Sequence, residues 1–172
     1  MPLLNFKHWT PKISAPHFIA PDAWLTGNVE VGKLVSIFFG SVLRGDINAI
    51  RVGDGTNIQE GALLHTSTGL GDCIVGDNVT VGHHAILHGC TIAELCIIGM
   101  GATVLDGAQI GKHCIIGANS LVTMNTVIPE GSMAFGAPAK VVRRLSPGEI
   151  DSIAESAQHY RELGAEYSRC FE

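Results

Sequence analysis

The segment VGHHAILHG, residues 81–89, places His83, His84 and His88 in an otherwise apolar run. Imidazole there can pack, sense pH or ligate a metal through a neutral ring nitrogen. Another histidine, His65, ends the upstream segment GALLH. Imidazoles share a zinc ion only if their nitrogens come within bonds of about 2.0–2.1 Å of one point. Which of the four can do so depends on the elements that carry them.

Those elements announce themselves by period. Aliphatic residues recur at six-residue steps as Ile19, Leu25, Val31, Ile37 and Leu43, then Val52, Ile58 and Leu64, then Val75, Val81 and Leu87. The series continues through Ile92, Ile98, Val104, Ile110, Ile116, Val122 and Ile128, eighteen positions in all. Two residues before these positions the side chain is usually small, as at Ala23, Ser41, Thr56, Ala62, Cys73, Ala85, Cys90, Cys96, Ala102, Ala108, Cys114, Ser120 and Thr126. Inward positions alternating small and large fit short strands lining a narrow interior. This is the hexapeptide pattern of a parallel β-helix, and three sides per turn make about six coils. Four of the five cysteines fall in small inward slots, so they read as buried packing residues rather than a disulfide framework.

The register breaks between Leu43 and Val52, between Leu64 and Val75, and between Leu87 and Ile92. Long steps are predicted to bulge outward as loops, frequently on a binding face. They contain Arg44–Asp46 and His65–Asp72. Three steps from Leu64 lead to Leu87, so these two stack, and His65 and His88 point outward one above the other. Strands about 4.8 Å apart let the two imidazoles share an ion. His83 sits at the preceding corner, about 16 Å of extended chain from His88, and reaches such an ion only from a neighbouring copy. A ring of three copies closes by cyclic symmetry and makes three identical sites. Three histidines with an open fourth position are the catalytic form of a zinc centre. His84 reads as turn surface or a proton relay; His8, His17, His113 and His159 read as surface residues. Arg44 falls one rung from His65 and is placed to pair with Asp46.

After Leu145 the pattern changes. Ser146-Pro147-Gly148-Glu149 is a helix start with a capping box. Ile150, Ile153, Ala157, Tyr160, Gly164, Tyr167 and Phe171 form one apolar stripe. The chain therefore divides into a β-helix over 1–145 and a helix over 146–172, packed alongside as one unit. A net charge of −5 argues against nucleic acid or an anionic membrane as partner. No apolar run is long enough to span a bilayer, and the first residues lack a secretory h-region, so a cytoplasmic location is expected.

The segments VLRGDINAIRVGDGTNIQEGALLH (42–65) and VGHHAILHGC (81–90) resemble the gamma-class carbonic anhydrase family, and the likeness extends to FGAPAKVVR and the trailing helix. The resemblance implies a left-handed coil and a homotrimer with one metal per interface, usually Zn2+, with Fe2+ or Co2+ as alternatives. It implies His65, His83 and His88 as ligands, and Arg44 with Asp46 as the pair linked to assembly and the site. Asn57 and Gln59 match the polar residues beside the reacting oxygen, with Gln59 orienting it, and Tyr160 matches a tyrosine reaching in from the terminal helix. The implied reaction is reversible hydration of carbon dioxide to bicarbonate. Two positions depart from the pattern. Glu60 stands where the family often has aspartate, and the loop TSTGLGD (66–72) holds only Asp72 where the best-characterised form has a longer acidic loop.

Two other functions use the same repeat. A hexapeptide acyltransferase or acyl-CoA thioesterase would work in a groove between subunits, typically with one catalytic histidine. A metal-stabilised assembly or regulatory protein would keep the ligands without turnover.

Overall fold

The computed structural model describes residues 3–171. Short parallel strands stack into a three-sided solenoid, and all eighteen periodic aliphatics point inward, none more than 9% exposed. One side stacks Leu25, Leu43, Leu64, Leu87, Val104 and Val122 in register. The second stacks Val31, Val52, Val75, Ile92, Ile110 and Ile128. The third stacks Ile19, Ile37, Ile58, Val81, Ile98 and Ile116. Fully burying one such side chain stabilises the fold by about 1.5–3 kcal/mol, so the columns dominate its energetics. Of the small inward positions only Thr126 is not fully buried. Cys73, Cys90, Cys96 and Cys114 are buried free thiols, whereas Cys170 is exposed.

Two of the three register breaks resolve differently from each other. Residues 66–72 form a loop, as the spacing predicts. The GDIN segment does not leave the sheet as a loop; it lies inside one long strand, Val42–Val52, paired with Trp24–Val31. The surplus residues are absorbed as an irregularity after the Gly27–Gly45 pair. Gly27 has φ +75°, and a Cβ there would sit 2.4 Å from the Gly45 carbonyl oxygen, so bare backbone is required at this crossing. The two insertions then clasp each other. Asn48 Nδ2 donates to the carbonyls of Ser67 and Gly71 at 2.7 and 3.0 Å, and Ala49 N–H donates to Asp72 Oδ1 at 2.9 Å.

An antiparallel hairpin, Ser132–Gly136 with Ala139–Arg144, follows the last coil and is not signalled by the six-residue period. The helix Pro147–Cys170 begins at Ser146 with the expected reciprocal capping box. It lies on the third side, where Phe38 meets Tyr160 and Tyr167 edge-on at 5.8 Å in each case. Ile153 and Ala157 are fully buried there. No helix among the described residues is long and apolar enough to cross a membrane.

The helix start carries its own pH signature. Hydrogen bonds from the Arg143 guanidinium, and then from Ser146, hold the Glu149 carboxyl down at about 2. A depressed carboxylate pKa stabilises above the unfolded value and loses that contribution as pH falls through the folded one. The first helical turn is therefore expected to loosen between about pH 4.5 and pH 2. Amide exchange of residues 147–151 should accelerate across that window in the native protein, and Glu149→Gln should flatten the dependence.

Candidate metal centre

Because Leu64 and Leu87 are in register, so are the next residues, His65 and His88. Both leave the strand outward at the corner between the first and second sides. His65 Nδ1 and His88 Nε2 face each other at 3.0 Å. The far nitrogens are taken by carboxylates: His65 Nε2 donates to Asp46 Oδ1 at 3.1 Å, and His88 Nδ1 donates to Asp106 Oδ2 at 2.9 Å. A neutral ring that spends its one proton on the far carboxylate presents a lone pair on its near side, so two neutral rings here set lone pair against lone pair. That contact is repulsive unless a cation lies between them. In a tetrahedral zinc site with bonds of about 2.05 Å, two ligand nitrogens stand about 3.3 Å apart. The pair fits a metal ion on spacing and on chemistry.

Electrostatics keep His65 in the form that a metal would need. Burial pushes the His65 pKa down and outweighs the opposing pull of Asp46, so the ring is neutral at neutral pH. Burial alone would raise the Asp46 carboxyl, but hydrogen bonds from Arg44 and His65 bring it below the usual carboxylate range. Arg44 Nη1 donates to Asp46 Oδ2 at 2.6 Å, so Asp46 joins the arginine to the histidine.

The other candidates gather at a different corner. His83 lies at the start of the first side, one rung above Glu60, with Nδ1 at 2.6 Å from Glu60 Oε2. His84 occupies the turn in the left-handed region at φ +56° and is exposed. Gln59 Nε2 donates to Asn57 Oδ1 at 3.2 Å, Asn57 Nδ2 donates to Thr80 Oγ1 at 2.9 Å, and Thr80 Oγ1 lies 3.2 Å from Ser156 Oγ on the helix. Tyr160 stands near enough for burial, and then the Glu60 charge, to raise its hydroxyl pKa, which keeps it protonated. Thus Arg44, Asp46, His65 and His88 are together, and Asn57, Gln59, Glu60, His83 and Tyr160 form a second group across the width of the first side. Among the described residues of one chain, no three histidine, cysteine or acidic side chains form a metal-holding cluster.

Relatives share this arrangement of sequence along the whole chain. A mitochondrial gamma carbonic anhydrase 2 of Arabidopsis thaliana is 45% identical over 99% of the chain, which spans 64% of that longer relative. A carbonic anhydrase of Geobacillus kaustophilus is 41% identical over 94% of the chain and 88% of its own length. The chain belongs to the gamma carbonic anhydrase family. Residues 89–123 also match the model for six bacterial transferase hexapeptide repeats. A solved Bacillus cereus protein, named as a candidate acetyltransferase, has a TM-score of 0.96 at 41% identity and covers 98% of this chain and 97% of its own.

Within this gamma carbonic anhydrase chain, counting along the repeat misses three participants. Asp106 lies two residues after Val104, the rung above Leu87, so one more step along the His65–His88 line reaches Leu105 and passes it by. Asn48 clasps the loop after His65, and Ser156 ties the helix to the Asn57 hydrogen-bond chain. Neither has a signal in the six-residue period, because each depends on where an insertion or the helix lands.

Proposed function

We propose that this protein catalyses the reversible hydration of carbon dioxide to bicarbonate at a metal ion, zinc in the first instance, held between copies of the chain. The observation that carries this reading is the 3.0 Å approach of His65 Nδ1 to His88 Nε2, with both far nitrogens on carboxylates. His83 of an adjoining copy would complete the ligand set. Between the two corners the first side exposes an apolar column, Trp24, Val42, Leu63 and Ile86, in register. Trp24 is 49% exposed. Such a column supports burial against another copy, and a closed ring of three gives every copy the same two neighbours.

A zinc ion there would lower the pKa of a water to near 7 and so supply a nucleophile at neutral pH. The chain's own residues do the rest. Gln59 stands on the His83 corner with its amide held by Asn57, which fixes its orientation toward the reacting oxygen. Asp46 keeps His65 turned so that Nδ1 faces the site, and Arg44 keeps Asp46 charged. Glu60 turns His83, and its carboxylate, 42% exposed at the side chain, is placed to take the proton that each turnover must release.

An acyltransferase reading draws on the resemblance to the Bacillus cereus structure. One general base suffices for acyl transfer, whereas here two imidazoles are aimed at each other and locked by separate carboxylates. The test is metal analysis of untagged protein, joined to stopped-flow carbon dioxide hydration on zinc- and iron-loaded samples. One metal per chain with hydration well above buffer is expected. Metal at that stoichiometry without hydration would leave an assembly protein, and absence of metal uptake would remove the centre altogether.

A further inference from the structure

The Asp106 carboxylate belongs to none of the residues that the repeat or the resemblance assigns a role. It is 8% exposed, and its Oδ2 accepts from His88 Nδ1 at 2.9 Å. Its Oδ1 is buried without a hydrogen-bond partner among the described residues. Asp46, by contrast, has both oxygens engaged, one by Arg44 and one by His65. A buried anionic oxygen left unpaired is unfavourable for the fold taken alone. The turn beneath it is the ordinary one of this solenoid, in which Gly53, Gly101 and Gly107 sit in the same way under Asp77, Asn119 and Asn125. Gly89 adopts φ +56°, and a Cβ at that residue would stand 2.3 Å from Asp106 Oδ1.

We infer that Asp106 is a positioning residue of the metal centre, locking His88 in the tautomer whose Nε2 is free to ligate. This inference rests on the proposed metal site and extends it to a residue that never touches the ion. A carboxylate on Nδ1–H excludes the other tautomer, in which Nε2 would carry the proton and could not bind. It also raises the basicity of Nε2, and the positive charge that a bound cation places on the ring strengthens the N–H···carboxylate bond in return. The unpaired oxygen is then explained: Asp77 Oδ1 accepts from the Asp54 N–H at 2.8 Å, whereas Asp106 turns to His88 and leaves its Oδ1 without such a donor.

The experiment uses the full chain and zinc alone, titrated against a competing chelator, with imidazole nitrogen chemical shifts recorded on the metal-free protein at neutral pH. In the unaltered protein His88 should show a single tautomer protonated at Nδ1. Asp106→Ala should populate both tautomers and weaken zinc binding by about 10–100-fold, with assembly size retained. Asp106→Asn, which keeps an acceptor oxygen but not the charge, should fall between the two. A carboxylate serving only the fold would change the unfolding midpoint and leave the tautomer alone, and that result overturns the inference. Undiminished zinc affinity in Asp106→Ala, while His88→Ala loses the metal, overturns the role of Asp106 and leaves the centre standing. Undiminished affinity in His88→Ala overturns the centre itself, and the role of Asp106 with it.

Discussion

Replacing His83 by alanine is expected to lower zinc affinity by more than about 100-fold and to bring carbon dioxide hydration down to the buffer rate. Changes to groups that merely orient a ligand already cost about 10–100-fold, and loss of one nitrogen in three must exceed that. The residue is well suited to the test because little else depends on it. Its side chain is 41% exposed, sits at a corner, and touches Glu60 rather than the core. The apolar column of Trp24, Val42, Leu63 and Ile86 is untouched, so the assembly should keep its size by sedimentation. Glu60→Gln is the companion variant. It leaves the ligand nitrogen in place, so metal content should stay near one per chain while hydration slows. A His83→Ala protein that retained full hydratase activity would exclude this histidine from the mechanism.

The contrast between the two corners also shows what could be read without coordinates. Every periodic aliphatic is inward because a narrow solenoid admits only one face of each short strand, so spacing alone located the core. The same counting set His65 over His88, since a residue following an inward position must point out, and equal offsets on stacked strands meet. Counting fails where the chain departs from one strand per side. The GDIN segment is polar and looks like an excursion, yet its backbone is satisfied: Gly45 pairs with Gly27, and the N–H groups of Asn48 and Ala49 donate to Thr66 Oγ1 and Asp72 Oδ1. The hairpin ending in Ala139–Arg144 is antiparallel and has no six-residue signature. Asp106 escapes the count for a different reason. It reads as one more turn residue of an Asp-Gly pair, and only its contact with His88 on the rung below separates it from ordinary turn chemistry.

Mixing two inactive variants should restore hydration, and the extent is calculable. A chain with His83→Ala keeps His65 and His88, and a chain with His88→Ala keeps His83. If each centre draws two nitrogens from one copy and the third from the next, a mixed ring contains some complete centres. With equal amounts and random assembly, the first copy offers an intact pair half the time and its neighbour an intact His83 half the time. About one quarter of the unaltered activity is then expected, with zinc content per chain recovering in proportion. A centre built within single chains predicts no recovery at any ratio, because every chain carries a defect. Mass analysis confirming mixed rings, together with hydration still at the buffer rate, would therefore defeat the shared centre while leaving the fold and the His65–His88 pair as described. Dilution supplies an independent check on the same samples. Sites that need two copies lose metal as the ring dissociates, so apparent zinc affinity must depend on protein concentration, whereas a site complete in one chain binds with the same affinity throughout.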